Sequence, residues 1–219
     1  VATPTIVFSA VLATLALVST SLLISRRESE EIRTALSTIK SSQSISNQFF
    51  QFEYNITDII QDIRNSRRVF FLGTTLTTHI PLLRDDIRQG LQNGLEVRFL
   101  LTKPSSNAIK MAAFRGANLS EIELNSTLER NLSILVNIYN EVPTGKLEIR
   151  VIDYIAPYAM YIFDSNLITG HLLAHLSTFR VPNIRIRPSF ELTCKDDNVS
   201  FDHFVDQYEA LWNAAEVYK

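Results

Sequence analysis

The chain has 219 residues, a formal charge of −2, 46% hydrophobic residues, seven prolines and only six glycines, which fits a folded domain without low-complexity tracts. Its single cysteine, Cys194, excludes an intramolecular disulfide framework and a cysteine-rich metal site, and reads as a structural thiol. After Arg27 there are 19 Lys and Arg against 23 acids, a balance of −4 that argues against a large phosphate-neutralising face, so no nucleic acid is expected as a partner.

The first element is "TIVFSAVLATLALVSTSLLI", Thr5 to Ile24, an uncharged run of 20 residues. At a rise of ~1.5 Å per residue it reaches ~30 Å, one hydrocarbon core. Residues 1–27 therefore read as a single transmembrane anchor that meets the membrane through residues 5–24. A cleaved signal peptide is the competing reading, but no basic segment precedes the run, and no small-x-small cleavage site lies ahead of the charged stretch. Arg26 and Arg27 follow directly, and no basic side chain precedes the run, which places the rest of the chain on the cytoplasmic side or its stromal or matrix equivalent. Five N-x-S/T triplets, at Asn55, Asn118, Asn125, Asn131 and Asn198, are coincidental on that topology.

Residues 28–66 read as a helical stalk. Ile45, Phe49, Phe52, Ile56, Ile59 and Ile63 step by 4, 3, 4, 3 and 4, a heptad seam, whereas Ile32, Leu36 and Ile39 form a shorter run in another phase, broken by "SSQSISNQ". Such a seam either pairs with a copy of itself or packs on its own domain.

Residues 67–219 form the globular domain. "RRVFFLGTT" reads as a buried strand and loop, "HIPLLRDDIRQGLQNG" as a helix with Ile80, Leu83, Ile87 and Leu91 on one face and Gly94 as its stop, and "LEVRFLLTKP" as a second strand. Strand, helix and strand in this order give a parallel crossover, so the class is α/β. Residues 105–140 read as helical. "KLEIRVID" and "YAMYIFD" are third and fourth strands, and "LITGHLLAHLSTF" is ambiguous between strand-and-loop and helix. "NIRIRPSFEL" alternates as a half-exposed strand does. A terminal helix beginning at a Ser200 or Asp202 cap would bury Phe204, Tyr208, Leu211 and Trp212.

Ligand-binding candidates gather after the first strand, where α/β sheets present loops to ligand. Thr74, Thr75, Thr77 and His79 could hydrogen-bond a phosphate or other anion, although capping of the helix that begins near Thr78 is the stronger reading of them. Arg150 on the third strand and Asp164 at the end of the fourth complete the candidate set. His171 and His175, at i and i+4, lack the glutamate of HExxH and a third ligand, so no metal is expected; no P-loop, GxGxxG, GxSxG or CxxC is present, so no cofactor is expected.

"RRVFFLGTT", "LRDDIRQGLQNGLEVRFLLTKP", "KLEIRVIDYIAPYAMYIFD" and the terminal "FDHFVDQYEALWNAA" together resemble the phospholipase D-like fold over residues 56–219, in particular its non-catalytic branch attached to sensor and regulatory proteins. The resemblance implies an α/β sandwich, here preceded by the transmembrane helix and stalk. Active members carry HxKxxxxD, in which histidine attacks phosphorus, lysine binds the phosphoryl oxygens and aspartate fixes the turn. With Asp164 in the aspartate position, Ala159 stands where lysine should be and Pro157 where histidine should be, so the reading is of no enzyme and no catalytic residues. Two functions follow from it. One is a membrane-anchored ligand sensor or regulator, binding a phosphorylated small molecule and, as the resemblance implies, dimeric. The other is a docking subunit of a membrane protein complex with no ligand.

Overall fold

The computed structural model describes residues 30, 49–51, 55–117, 120–181 and 187–219. The run Thr5–Ile24, the shorter stalk stripe and the alternation at residues 184–186 lie outside them. Among the described residues no helix is long and apolar enough to cross a membrane. The chain divides into two compact units, residues 1–48 and 49–219, and the second holds every element below.

Helix α1 (Ile56–Asn65) starts where the Asn55 side chain accepts a hydrogen bond from the Thr57 amide, and its Ile59 and Ile63 are buried. The last part of the heptad seam thus packs on its own domain, where each fully buried isoleucine contributes ~1.5–3 kcal/mol. Strand β1 (Arg68–Gly73), helix α2 (His79–Gln92) and strand β2 (Glu96–Thr102) make the first crossover. Helices α3 (Asn107–Arg115) and α4 (Glu121–Glu141) lead to strand β3 (Lys146–Ile152), and all three strands run parallel. Strand β4 (Tyr158–Phe163) returns antiparallel beside β1, and β5 (His171–Leu176) and β6 (Ser189–Thr193) extend that side. Helix α5 (Asn198–Ala214) and strand β7 (Glu216–Val217) close the order β6-β5-β4-β1-β2-β3-β7.

The central strands read as continuous apolar runs because both sheet faces are covered. Val69, Phe71, Val97, Phe99, Ile149 and Tyr161 face helices α1 to α4, with Phe71 stacked on Phe99 at 4.5 Å between centroids. Phe70, Leu72, Leu100, Met160 and Ile162 face α5, where Phe70 stacks on Tyr208 at 5.1 Å and Tyr208 on Trp212 at 5.9 Å.

Three local expectations are refined. The helical segment 105–140 is two helices: Gly116 ends α3, and Ser120 with Glu123 forms a capping box that starts α4. "HLLAHL" is a strand, with Leu172 and Ala174 in the α5-side core. The last helix begins two residues before Ser200, and Phe201 joins Tyr208 and Trp212 as its buried residues.

Asp164 follows β4 with φ +47°, and one carboxylate oxygen accepts hydrogen bonds from the amides of Arg67 at 2.8 Å and Arg68 at 2.9 Å. Gly170 closes the same turn, since an added Cβ would stand 2.5 Å from the Asp164 carbonyl oxygen.

Candidate anion site at the carboxyl end of the first strand

A cavity of about 380 Å³ lies beyond the end of β1, beside the start of β4 and the end of β5, within the usual range for small-molecule sites. The β1–α2 loop makes one wall. Leu76 adopts φ +46°, and its side chain occupies the space a Cβ on Gly73 would need, at 2.5 Å. From α4, the buried Asn131 amide donates to the Thr75 carbonyl at 2.8 Å. The Thr75 and Thr77 hydroxyls bond each other at 2.7 Å, and Thr78, at the N-cap of α2, makes no side-chain capping bond. The threonines thus face the cavity with the helix start left to backbone contacts, such as the His79 amide donating to the Leu76 carbonyl at 3.0 Å.

His79, Tyr161 and His175 come from α2, β4 and β5. The Tyr161 hydroxyl lies 3.0 Å from His79 Nδ1, and the two imidazoles are 6.5 Å apart between centroids. Burial lowers the His79 pKa to about 4. His175 falls to about 4 as well, through burial first and then the charges of His79 and Arg187. Both rings are therefore neutral at pH 7.

Arg115, the last residue of α3, donates to the Ala156 carbonyl at 3.1 Å and to the Thr74 hydroxyl at 3.3 Å. Its pKa is lowered by burial and by the positive charge of Arg187, the second guanidinium in the cavity wall. Among the described lining residues there is no carboxylate. A partly desolvated guanidinium beside a second positive charge is a setting that favours an approaching anion. Thr178 Oγ1, also in the wall, is buried with no hydrogen-bond partner among the described residues.

Of the candidates read from sequence, Thr74, Thr75 and His79 meet in this cavity, and Arg150 and Asp164 do not line it. Arg150 lies on the α5 side, its guanidinium 4.5 Å from the Trp212 ring centroid and donating to the Trp212 carbonyl at 2.9 Å. Asp164 sits at the opposite end of β4 from Ala159. Ala159 lines the cavity, and Pro157 lies outside it with its carbonyl accepting from the Ser177 amide at 2.7 Å. His171 and His175 stand at the two ends of β5, and His171 Nε2 is 3.2 Å from Asp62. Among the described residues no three His, Cys, Asp or Glu side chains are grouped to hold a metal. Sequence reasoning missed Arg115, Tyr161, His175 and Arg187. The strand order β5-β4-β1 brings Tyr161 and His175 together, whereas Arg115 comes from the end of α3, where the basic residue preceding Gly116 was a visible helix-end signal, and Arg187 from the segment before β6.

No family model matches the chain, and no curated protein does. Among solved structures it is similar to TrmBL2, an archaeal chromatin protein whose structure shows a novel mode of DNA binding, at 16% identity and TM-score 0.48 over 98% of this chain and 71% of that one. It is also similar to Nuc from Salmonella typhimurium, a phospholipase D family member, at 9% identity and TM-score 0.42 over 75% and 90% of the two chains. NucT from Helicobacter pylori is similar at 12% identity and TM-score 0.44 over 74% and 90%. The expectation that no nucleic acid is a partner is withdrawn: one of these similar structures is that of a DNA-binding protein, and a net balance of −4 averages the whole surface and so does not exclude a local cationic recess such as that of Arg115 and Arg187.

Proposed function

We propose that residues 49–219 form a phospholipase D-like domain that has lost phosphoryl transfer and captures a phosphorylated ligand in the cavity, within a chain anchored in a membrane through Thr5–Ile24. The observation that carries this reading is the pair Arg115 and Arg187 in a wall with no carboxylate among its described residues, beside Ala159 where the motif's lysine would stand. Guanidiniums and hydroxyls in such a wall hold a phosphate by charge-assisted hydrogen bonds. Pro157 has no nucleophilic nitrogen, and imidazoles with pKa values near 4 are weak bases at pH 7, so the recess binds and does not cleave. Capture then acts as a signal to the extent that the ligand favours one arrangement of the protein over another.

The test is thermal unfolding of the full chain in detergent with inorganic phosphate, nucleoside monophosphates and sugar phosphates. A compound at 100 times its dissociation constant adds ~2.7 kcal/mol of stability. The expected result is an upward shift with at least one compound, abolished in Arg187→Gln, and no hydrolysis of bis(4-nitrophenyl) phosphate. Hydrolysis that disappears in His79→Asn or His175→Asn would overturn the non-catalytic reading.

A further inference from the structure

Resting on that reading, we infer that the phosphorylated ligand carries a nucleobase, which stacks on the exposed rings of Phe114 and Phe179 at the rim of the cavity. Phe114 lies in the last turn of α3, one residue before Arg115, and Phe179 follows Thr178, which lines the cavity. The two rings are 62% and 60% exposed, yet their centroids are held 5.6 Å apart. The Arg180 amide ties the two segments together by donating to the Arg115 carbonyl at 2.8 Å, with Arg180 itself at φ +51°. Its guanidinium lies over both rings, 5.3 Å from the Phe179 centroid and 5.9 Å from that of Phe114. Scattered exposed apolar side chains are ordinary, whereas a contiguous patch beside a cavity marks a contact.

Size, charge and position identify the occupant. The exposed parts of the two rings amount to roughly 250 Å², about a third of the ~800 Å² that each partner gives to a stable protein interface. One flat heterocycle matches that scale. Among the described residues no carboxylate pairs with Arg180, so the rim is cationic as well as aromatic and complements an anion that bears a ring.

Position joins the rim to the phosphate-binding wall. Arg115 donates to the Thr74 hydroxyl at 3.3 Å inside the cavity and is the chain neighbour of Phe114, so one small ligand spans both. Every base has a π-face, and stacking on aromatic rings is tolerant of which base it is. The rim therefore specifies the class of ligand, a nucleotide, and no particular base. A free nucleotide and the 5′-phosphorylated end of a single strand offer the same two groups.

The experiment is isothermal titration of the full chain in detergent with adenosine 5′-monophosphate, ribose 5-phosphate and adenosine, which separate base from phosphate. The monophosphate should bind about fivefold to a hundredfold tighter than ribose 5-phosphate, and the advantage should fall to about twofold or less when Phe114→Ala and Phe179→Ala are combined. Both rings are largely exposed, so the unliganded melting of that variant should match the parent. Equal affinity of the parent for the monophosphate and ribose 5-phosphate would overturn the base contact and leave phosphate capture standing. A base advantage that survives in the variant would overturn the ring pair as its seat and return the rings to a protein or lipid contact. Adenosine binding as tightly as the monophosphate would overturn phosphate capture, and with it the ligand that spans both. Binding of none of the three would overturn both readings.

A 5′-phosphorylated hexadeoxyadenylate separates the sources. Tighter binding than the monophosphate supports the inference with a strand end as ligand. Weaker binding supports it with a free nucleotide.

Discussion

Replacing Asp164 with alanine should destabilise the domain by about 3–4 kcal/mol without touching ligand affinity. One carboxylate oxygen accepts from two amides, Arg67 at 2.8 Å and Arg68 at 2.9 Å. Hydrogen bonds to a charged group are worth about 1.5–3 kcal/mol each, but the exposed Arg67 amide recovers water, so the bonds together account for roughly 2 kcal/mol. Alanine at φ +47° adds ~1–2 kcal/mol of left-handed strain. Asparagine keeps an acceptor oxygen and tolerates that backbone, so Asp164→Asn should cost about 1 kcal/mol or less. Urea unfolding of the full chain in detergent, followed by tryptophan fluorescence from Trp212, reads both. At a slope of ~2 kcal/mol per molar, alanine lowers the midpoint by about 1.5–2 M and asparagine by at most about 0.5 M. Equal losses from the two substitutions would refute the turn-holding argument. Intact stability with lost phosphate binding would make Asp164 a ligand contact instead.

Two further outcomes follow from the cavity. His79 and His175 have folded pKa values of about 4 against 6.5 when unfolded, so the unfolded chain binds more protons between those limits. Stability present above pH 6.5 is therefore lost as the pH falls toward 4, by roughly 3 kcal/mol for each imidazole taken alone. The slope of melting temperature against pH in that window should be about halved in His175→Gln, and an unchanged slope would refute the assignment. Asn131→Ala removes the 2.8 Å bond to the Thr75 carbonyl, which should cost about 1–3 kcal/mol and weaken binding of phenyl phosphate severalfold by loosening the threonine loop. Lower stability at unchanged affinity would show that the loop holds its shape without that bond.

The parts of the fold legible in the sequence are those in which local pattern and burial coincide. "RVFFLG", "EVRFLLT", "KLEIRVI" and "YAMYIF" are apolar enough to mark central strands. Arg98, in the second of these, pairs with strand acids at 3.7 Å to Glu96 and 3.6 Å to Glu148. The break between α3 and α4 was also written in the sequence, as Gly116 and the Ser120–Glu123 box, but the apolar stripe on both sides hid it. The site was half legible. Thr74, Thr75 and His79 follow from a rule about strand ends, whereas Arg115, His175 and Arg187 belong to three distant segments. Periodicity describes neighbours along a chain, and β5 meets β1 only through the antiparallel β4 between them. Arg150 was read as a ligand-binding candidate because nothing local announces the Trp212 ring beneath it.

The short strand β7 carries a consequence for self-association. Residues 216–219 turn back after α5 so that Val217 and Glu216 pair with Arg150 and Val151, while Ile149 exchanges backbone hydrogen bonds with Tyr218 and Lys219 at 2.7–3.1 Å. Lys103 grips the Glu216 carboxylate at 2.7 Å and 2.8 Å. At the other rim Ser189 exchanges backbone bonds with Gln51 at 2.7 Å. Exposed strand rims are templates for runaway strand addition, and here short segments occupy part of both, the one beside β3 carrying the charges of Glu216 and Lys219. Four residues that carry no chemistry thus act as a guard against aggregation, and they leave side chains, more than backbone, as the means by which another chain can hold this domain.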